Sequence, residues 1–323
     1  MFATEYYCLV AGLKEYSLDA DTKGFEAKAI VGEILDGVSA SDAAQVRLLY
    51  GYYDCENIAS LRAGRSAHNP LGNFTREELE EEVKAPKRLP AAVGRVLRAY
   101  ADPEGEDAEE VDTAQRFETA LFDAYYATCS RAKSRFLREW SEFDRTLRNV
   151  TAAVTARAAG RPVEEVTVGG GDVVEQLERS SAADFGLRGE LPYIDAVIAA
   201  VNDEANLVEK EHKIDLIRWN EATELATFDY FDINTILSYL ARVNIVARWT
   251  QLDAVRGREM FDRLMAELDG LCGLDKVKAD VKSLINLVKV RRLRQVRFHV
   301  GLCGRRDSGL PESADRAAPG PEE

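Results

Sequence analysis

The sequence predicts an all-α protein, a bundle of many helices with one long member. Between Trp219 and Trp249, aromatic and aliphatic residues recur at three- and four-residue steps, the spacing that lines one face of a helix. A second pattern of the same kind runs unbroken from Ala114 to Arg157. Strand-like segments are scarce everywhere else.

Composition limits what such a bundle does. At 323 residues and 46% hydrophobic content, the chain fills one large or two ordinary domains with a core. It has no run of about 18 apolar residues, so no membrane span is expected. The start, MFATEYYCLVAGL, lacks the basic region and small-residue cleavage site of a secretory leader, so a cytoplasmic address is expected. A formal charge of −14 argues against general nucleic-acid binding and suits solubility or a basic protein partner. The five cysteines form no C-x-x-C pair and the three histidines lie far apart, so neither metal nor cofactor is expected.

In chain order, residues 5–13 (EYYCLVAGL) fit a buried strand or a core helix, and the scarcity of strands elsewhere favours the helix. Phe25 to Leu35 is amphipathic, with Phe25, Ala29, Ile30 and Ile34 on one side. Asp42 to Tyr53 is a second helix that ends at the Tyr53-Asp54 junction, and Asn57 to Arg65 continues helically until Gly64, Pro70 and Gly72 break it. Thr75-Arg76-Glu77-Glu78 has the form of a capping box. The run Glu77, Glu78, Glu80, Glu81 and Glu82 reads as a solvated helix start favoured by the macrodipole rather than as catalytic acids.

Pro86 and Pro90 precede a short helix, Ala91 to Tyr100, and an acidic connector follows. From Ala114 to Arg157 the residues Phe117, Leu121, Tyr125, Cys129, Ala132, Phe136, Trp140, Phe143 and Leu147 predict one rod of about 30 to 45 residues, some 45 to 65 Å long. The triple glycine at 169–171 is followed by no Lys-Ser or Lys-Thr and meets no G-x-G-x-x-G spacing. It reads as a turn before a helix at Asp172 to Arg179, not as a phosphate loop. Tyr193 to Val208 is another helix. Glu204, Glu209, Glu211 and Asp215 alternate with Lys210, Lys213 and Arg218, which predicts intrahelical ion pairs.

The central stretch predicts two helices broken near Phe228. The second starts at Phe231-Asp232: Asp232 caps the first turn, and Phe231 packs on Ile236 as a hydrophobic staple. Tyr53-Asp54-x-x-Asn57-Ile58 repeats the aromatic, the Asp and the Ile at the same offsets, and Phe143-Asp144 repeats the first two. Three aromatic-Asp pairs opening three helical stretches suggest a bundle of related units.

The segments YYCLVAGL, YYDCENI, EWSEFDRTLRNVTAAVTARAAG, SSAADFGL and the stretch from Glu211 to Phe261 together resemble domain-of-unknown-function family 2764 over about residues 5–268. That family is encoded beside subunits of bacterial V/A-type ATPases and looks like a divergent form of their C subunit, also called subunit d. The resemblance implies a funnel of three helical bundles. Tyr53, Asp54, Asn57 and Ile58 match one helix-opening segment of C-type subunits. Phe231, Asp232 and Ile236 match a second, with Asn234 one place early; Phe143, Asp144 and Asn149 match more loosely. The role implied is a non-catalytic adaptor of the central stalk, peripheral to the inner face of the cell membrane. There it would link the rotor ring to the shaft subunits without cofactor or chemistry.

Beyond residues 1–269 the texture changes. Residues 270–297 form a basic amphipathic pattern that resembles the entry helix of AAA ATPases related to the sporulation K protein and the Rubisco-activase-like X protein. No G-x-x-x-x-G-K-[ST] loop follows, so no ATPase activity is expected. Residues 298–323, rich in Gly, Pro and charge, predict a disordered tail. Two alternatives to the adaptor remain: a piece of an AAA remodelling ATPase, or a free helical scaffold.

Overall fold

The computed structural model describes residues 5–18, 24–202, 207–251 and the single positions 266 and 278. Two compact units divide the chain, Met1–Gln251 and Leu252–Glu323, and the helices given below lie in the first. Among the described residues there is no strand, and the fold is all-α. The expected basic helix 270–297 and the tail 298–323 lie, apart from Lys278, outside the described residues, as does the boundary at 269.

The N-terminal apolar run is helix α1 (Tyr7–Gly12), and α2 (Ala27–Gly37) follows. Ile34 is buried in α2 and Ile30 half-buried, but Ala29 is exposed. Helix α3 (Ala40–Arg62) opens at Ser39, whose side chain accepts from the Asp42 amide. Thr75 starts α4 (Arg76–Lys84) with both bonds of the capping box in place. Glu82 at its end is not solvated: it is buried and accepts from the amides of Lys87 and Arg88, each at 2.9 Å. Helix α5 (Ala91–Ala101) follows Pro90, and the acidic connector contains a 3₁₀ turn, Glu106–Glu109.

The single rod expected between Ala114 and Arg157 is two helices, α6 (Phe117–Cys129) and α7 (Arg135–Ala158). Ser134 separates them by capping Leu137, and its amide donates to Gln45 Oε1 of α3 at 2.9 Å. The apolar step survives the break because Cys129 before it, Ala132 within it and Phe136 after it are all buried. Gly169 and Gly171 take left-handed backbone (φ +75° and +112°), which is what this glycine run supplies ahead of α8 (Asp172–Arg179). The stretch expected as one helix from Tyr193 to Val208 is α9 (Ile194–Asn202), with α10 (Leu207–Glu224) beginning after the undescribed 203–206. Helix α11 (Ile233–Gln251) follows.

These helices bury three apolar clusters. The first joins α2, the start of α3, the start of α7 and α11 through Ile34, Val46, Tyr50, Phe136 and Leu240. A second joins the end of α3 to α4, α5 and α6 through Ile58, Leu79, Val96 and Leu121. The third joins the rest of α7 to α8, α9 and α10 through Leu147, Leu177, Ile194 and Ile214. Helix α3 therefore serves two clusters and α7 serves two. At 23 and 24 residues, each is about 35 Å long by the standard rise.

Only one of the three aromatic-Asp pairs opens a helix. Tyr53-Asp54 lies inside α3 and Phe143-Asp144 inside α7. Their aspartates are committed to distant partners rather than to the next turn, so they neither start nor stop a helix. Phe231-Asp232 does stand at a helix start: Asp232 Oδ1 accepts from the amides of Asn234 (2.9 Å) and Thr235 (3.2 Å). The Phe231 ring pairs with Tyr7 at 4.5 Å, and Ile236 is fully buried in the first cluster. Phe228, near which the sequence predicts the break between two helices, is 85% exposed in the turn between α10 and α11.

Candidate functional site

A cavity of about 460 Å³ lies where α3, α6, α7, α10 and α11 meet. Two of the motif residues line it, Tyr53 and Asp144, together with Tyr52, Tyr126, Trp140, Asp215, Arg218 and Arg248. Its far side is a chain of ion pairs linking three helices. Asp144 of α7 accepts from Tyr126 Oη at 2.8 Å and from Arg218 Nε of α10 at 3.3 Å. Asp215, 1% exposed, accepts from Arg218 at 3.0 Å, from Arg248 of α11 at 2.6 Å and from Trp249 Nε1 at 2.9 Å. Arg248 also pairs with Glu211.

Burial opposes the Arg218 charge, but Asp144 and Asp215 outweigh it and hold its pKa above the ordinary guanidinium value. Arg248 is held up in the same way: burial opposes it, and Asp215 and Glu211 prevail. Glu56 on the same wall is pushed up, mainly by burial. Tyr52 is pushed up mainly by burial and further by Asp144. Asp144, Asp215 and Glu211 pair with Arg218 and Arg248, which ties α7, α10 and α11 together. Such an arrangement fixes helices in register. Among the described residues, no group of three or more His, Cys, Asp or Glu side chains is placed to hold a metal ion.

The remaining motif residues act as clamps on backbone. Asn57 exchanges two hydrogen bonds with Asn69, Nδ2 to the carbonyl at 3.0 Å and the amide to Oδ1 at 2.6 Å. Asp54, 3% exposed, accepts from the Asn73 amide at 2.7 Å and from Asn73 Nδ2 at 2.6 Å. Burial is the larger influence on Asp54 and pushes its carboxyl up to about 6 against the Asn73 bonds. Asn149 makes the same two-bond exchange with Val168, both at 2.9 Å. Asn234 Oδ1 accepts from Ser134 Oγ and from the Phe136 amide at the start of α7. The shared feature of the three segments is thus an asparagine that grips a distant loop or helix end, and Ile58 and Ile236 are buried beside two of them.

Sequence reasoning missed most of the cleft. Asp215 and Arg218 do form the expected pair three residues apart, but Arg248 and Trp249 reach them from α11. Among the described residues, the buried cysteines Cys55 and Cys129 do not line the cleft, and Cys8 is exposed.

Compared with protein families, the chain matches, over residues 3–270, the family described as "Protein of unknown function (DUF2764)". Neither the curated proteins nor the solved structures give a match.

Proposed function

The chain belongs to the DUF2764 family, and from that premise we propose that it is a non-catalytic central-stalk adaptor of a V/A-type rotary ATPase, linking the membrane rotor ring to the shaft. The observation that carries the reading is the grouping of helices into three clusters around one charged cleft, with α3 and α7 each shared by two clusters. The resemblance to C-type subunits implies a funnel of three bundles, and an all-α body built this way agrees with it in kind. An adaptor that transmits torque needs stiffness, and close-packed helices locked by cross-helix ion pairs resist deformation. The charges of Asp144, Asp215, Glu211, Arg218 and Arg248 are spent on one another, which suits a mechanical tie between helices. On this reading the protein is peripheral to the inner face of the cell membrane, held there through protein partners. No helix among the described residues is long and apolar enough to cross a membrane.

The test is affinity capture of the full chain from solubilised membranes that contain the rotary complex. Rotor-ring and shaft subunits are expected among the retained proteins in stoichiometric amounts. Their absence from the capture, with the complex intact in the extract, overturns the proposal. Measurable ATP affinity by calorimetry would instead favour the AAA-related alternative.

A further inference from the structure

We propose that a second cavity, between α2, α3 and the 70–74 loop, binds a small soluble anion with a compact apolar or aromatic body. This cavity, about 420 Å³, is separate from the charged cleft and falls in the size range of small-molecule sites. Its twelve lining residues include Lys28, Arg47 and Arg88 and no Asp or Glu. That runs against the chain as a whole, which has 56 acidic and 42 basic residues. Arg88 is engaged by Glu78 at 3.1 Å and Glu82 at 3.2 Å and lies over the Phe74 ring. Lys28 and Arg47 have no carboxylate within ion-pair distance among the described residues, so their charge is available to a ligand. Val31, Leu35, Leu71 and Phe74 line the same cavity and supply apolar surface beside the cations. Cations and apolar side chains lining one cavity select an anionic head on a hydrophobic body.

Two features mark the cavity as built. Its loop wall is fixed in advance, because Asp54 holds Asn73 and Asn57 holds Asn69. The helix wall contains Gly32 in the interior of α2, a position where glycine destabilises a helix. No left-handed backbone requires it, and a Cβ there would meet nothing within 4 Å. Close packing therefore does not explain this glycine, and the missing side chain leaves the wall open. The cavity's size suits a compact body rather than a long acyl chain.

Calorimetric titration of the full chain with phenyl phosphate tests this, with inorganic phosphate and vesicles of phosphatidylglycerol as parallel arms. Phenyl phosphate is expected to bind once per chain and at least about tenfold more tightly than inorganic phosphate. Replacing both Lys28→Gln and Arg47→Gln, exposed positions whose loss leaves the fold intact, is expected to weaken it at least about tenfold. Gly32→Leu keeps every charge and fills the space, and is expected to abolish binding while far-ultraviolet circular dichroism stays unchanged. Equal affinity for phenyl and inorganic phosphate, full binding by the double variant, or association with the vesicles alone would each overturn the assignment. These outcomes are independent of capture by a rotary complex.

Discussion

Asp54 holds two donors of Asn73 from inside α3, and its charge is balanced against its burial. With a folded value of about 6 above the ordinary 3.8, the folded protein keeps a proton that the unfolded chain has released. Stability from this group is therefore fully present below the unfolded value and is lost as pH rises through about 6, a total of about 3 kcal/mol. Comparing the wild type with Asp54→Asn in urea between pH 4 and 7 isolates the effect. The difference between them should shift steadily across that window, and a flat difference would contradict the account. Asp215 has three donors and almost no solvent. Asp215→Ala leaves Arg218 short of one counter-charge and the Trp249 N–H without its acceptor. Asp144 and Glu211 still pair with the two arginines, so the expected cost is about 1 to 3 kcal/mol, read as a lower denaturant midpoint with an unchanged slope; an unchanged midpoint would mean the cleft is not a structural tie.

Helix starts show which local rules hold at the level of elements. Asp232 caps α11 through two amides, and Asp232→Ala should lower stability by about 0.5 to 2 kcal/mol. An unchanged denaturant midpoint would show that this cap carries no weight. Ser134 caps α7 and also donates to Asn234, so Ser134→Ala should cost about 1 to 2 kcal/mol by the same measurement. The Asp232 start and the turn near Phe228 were legible in the sequence because capping is a contact between neighbours. By contrast, the gap between α6 and α7 was hidden, since Cys129, Ala132 and Phe136 keep apolar step across it. Asp54 and Asp144 look like caps in one dimension, yet Asn73 and Arg218 claim them from 19 and 74 residues away. The cleft stayed illegible for the same reason: its geometry consists of pairings between α7, α10 and α11 that no local pattern encodes. The all-α class was readable because it needs only periodicity.

At the scale of the molecule, α7 is the helix that the other elements share. Its first turns pack in the first cluster, its later turns form the third, and it touches α6, α8, α9, α10 and α11. Asp144 at its middle ties it to Arg218, and Arg135 at its start ties it to Asp229 at 2.6 Å. Freeing α7 therefore exposes two cores and breaks the charged chain, so it should open only with the whole body. The turn between α10 and α11 is the contrasting region, with Phe228 and Tyr230 largely in solvent. Hydrogen exchange followed by mass spectrometry should find the amides of Leu137 to Val154 the slowest in the first unit, opening at a free energy equal to that of global unfolding. Those of Thr227 to Phe231 should exchange orders of magnitude sooner. If mid-α7 amides exchange as early as that turn, the three clusters are not mechanically joined through α7. A body that yields there would also be a poor transmitter of torque, so this one measurement bears on the fold and on the proposed role together.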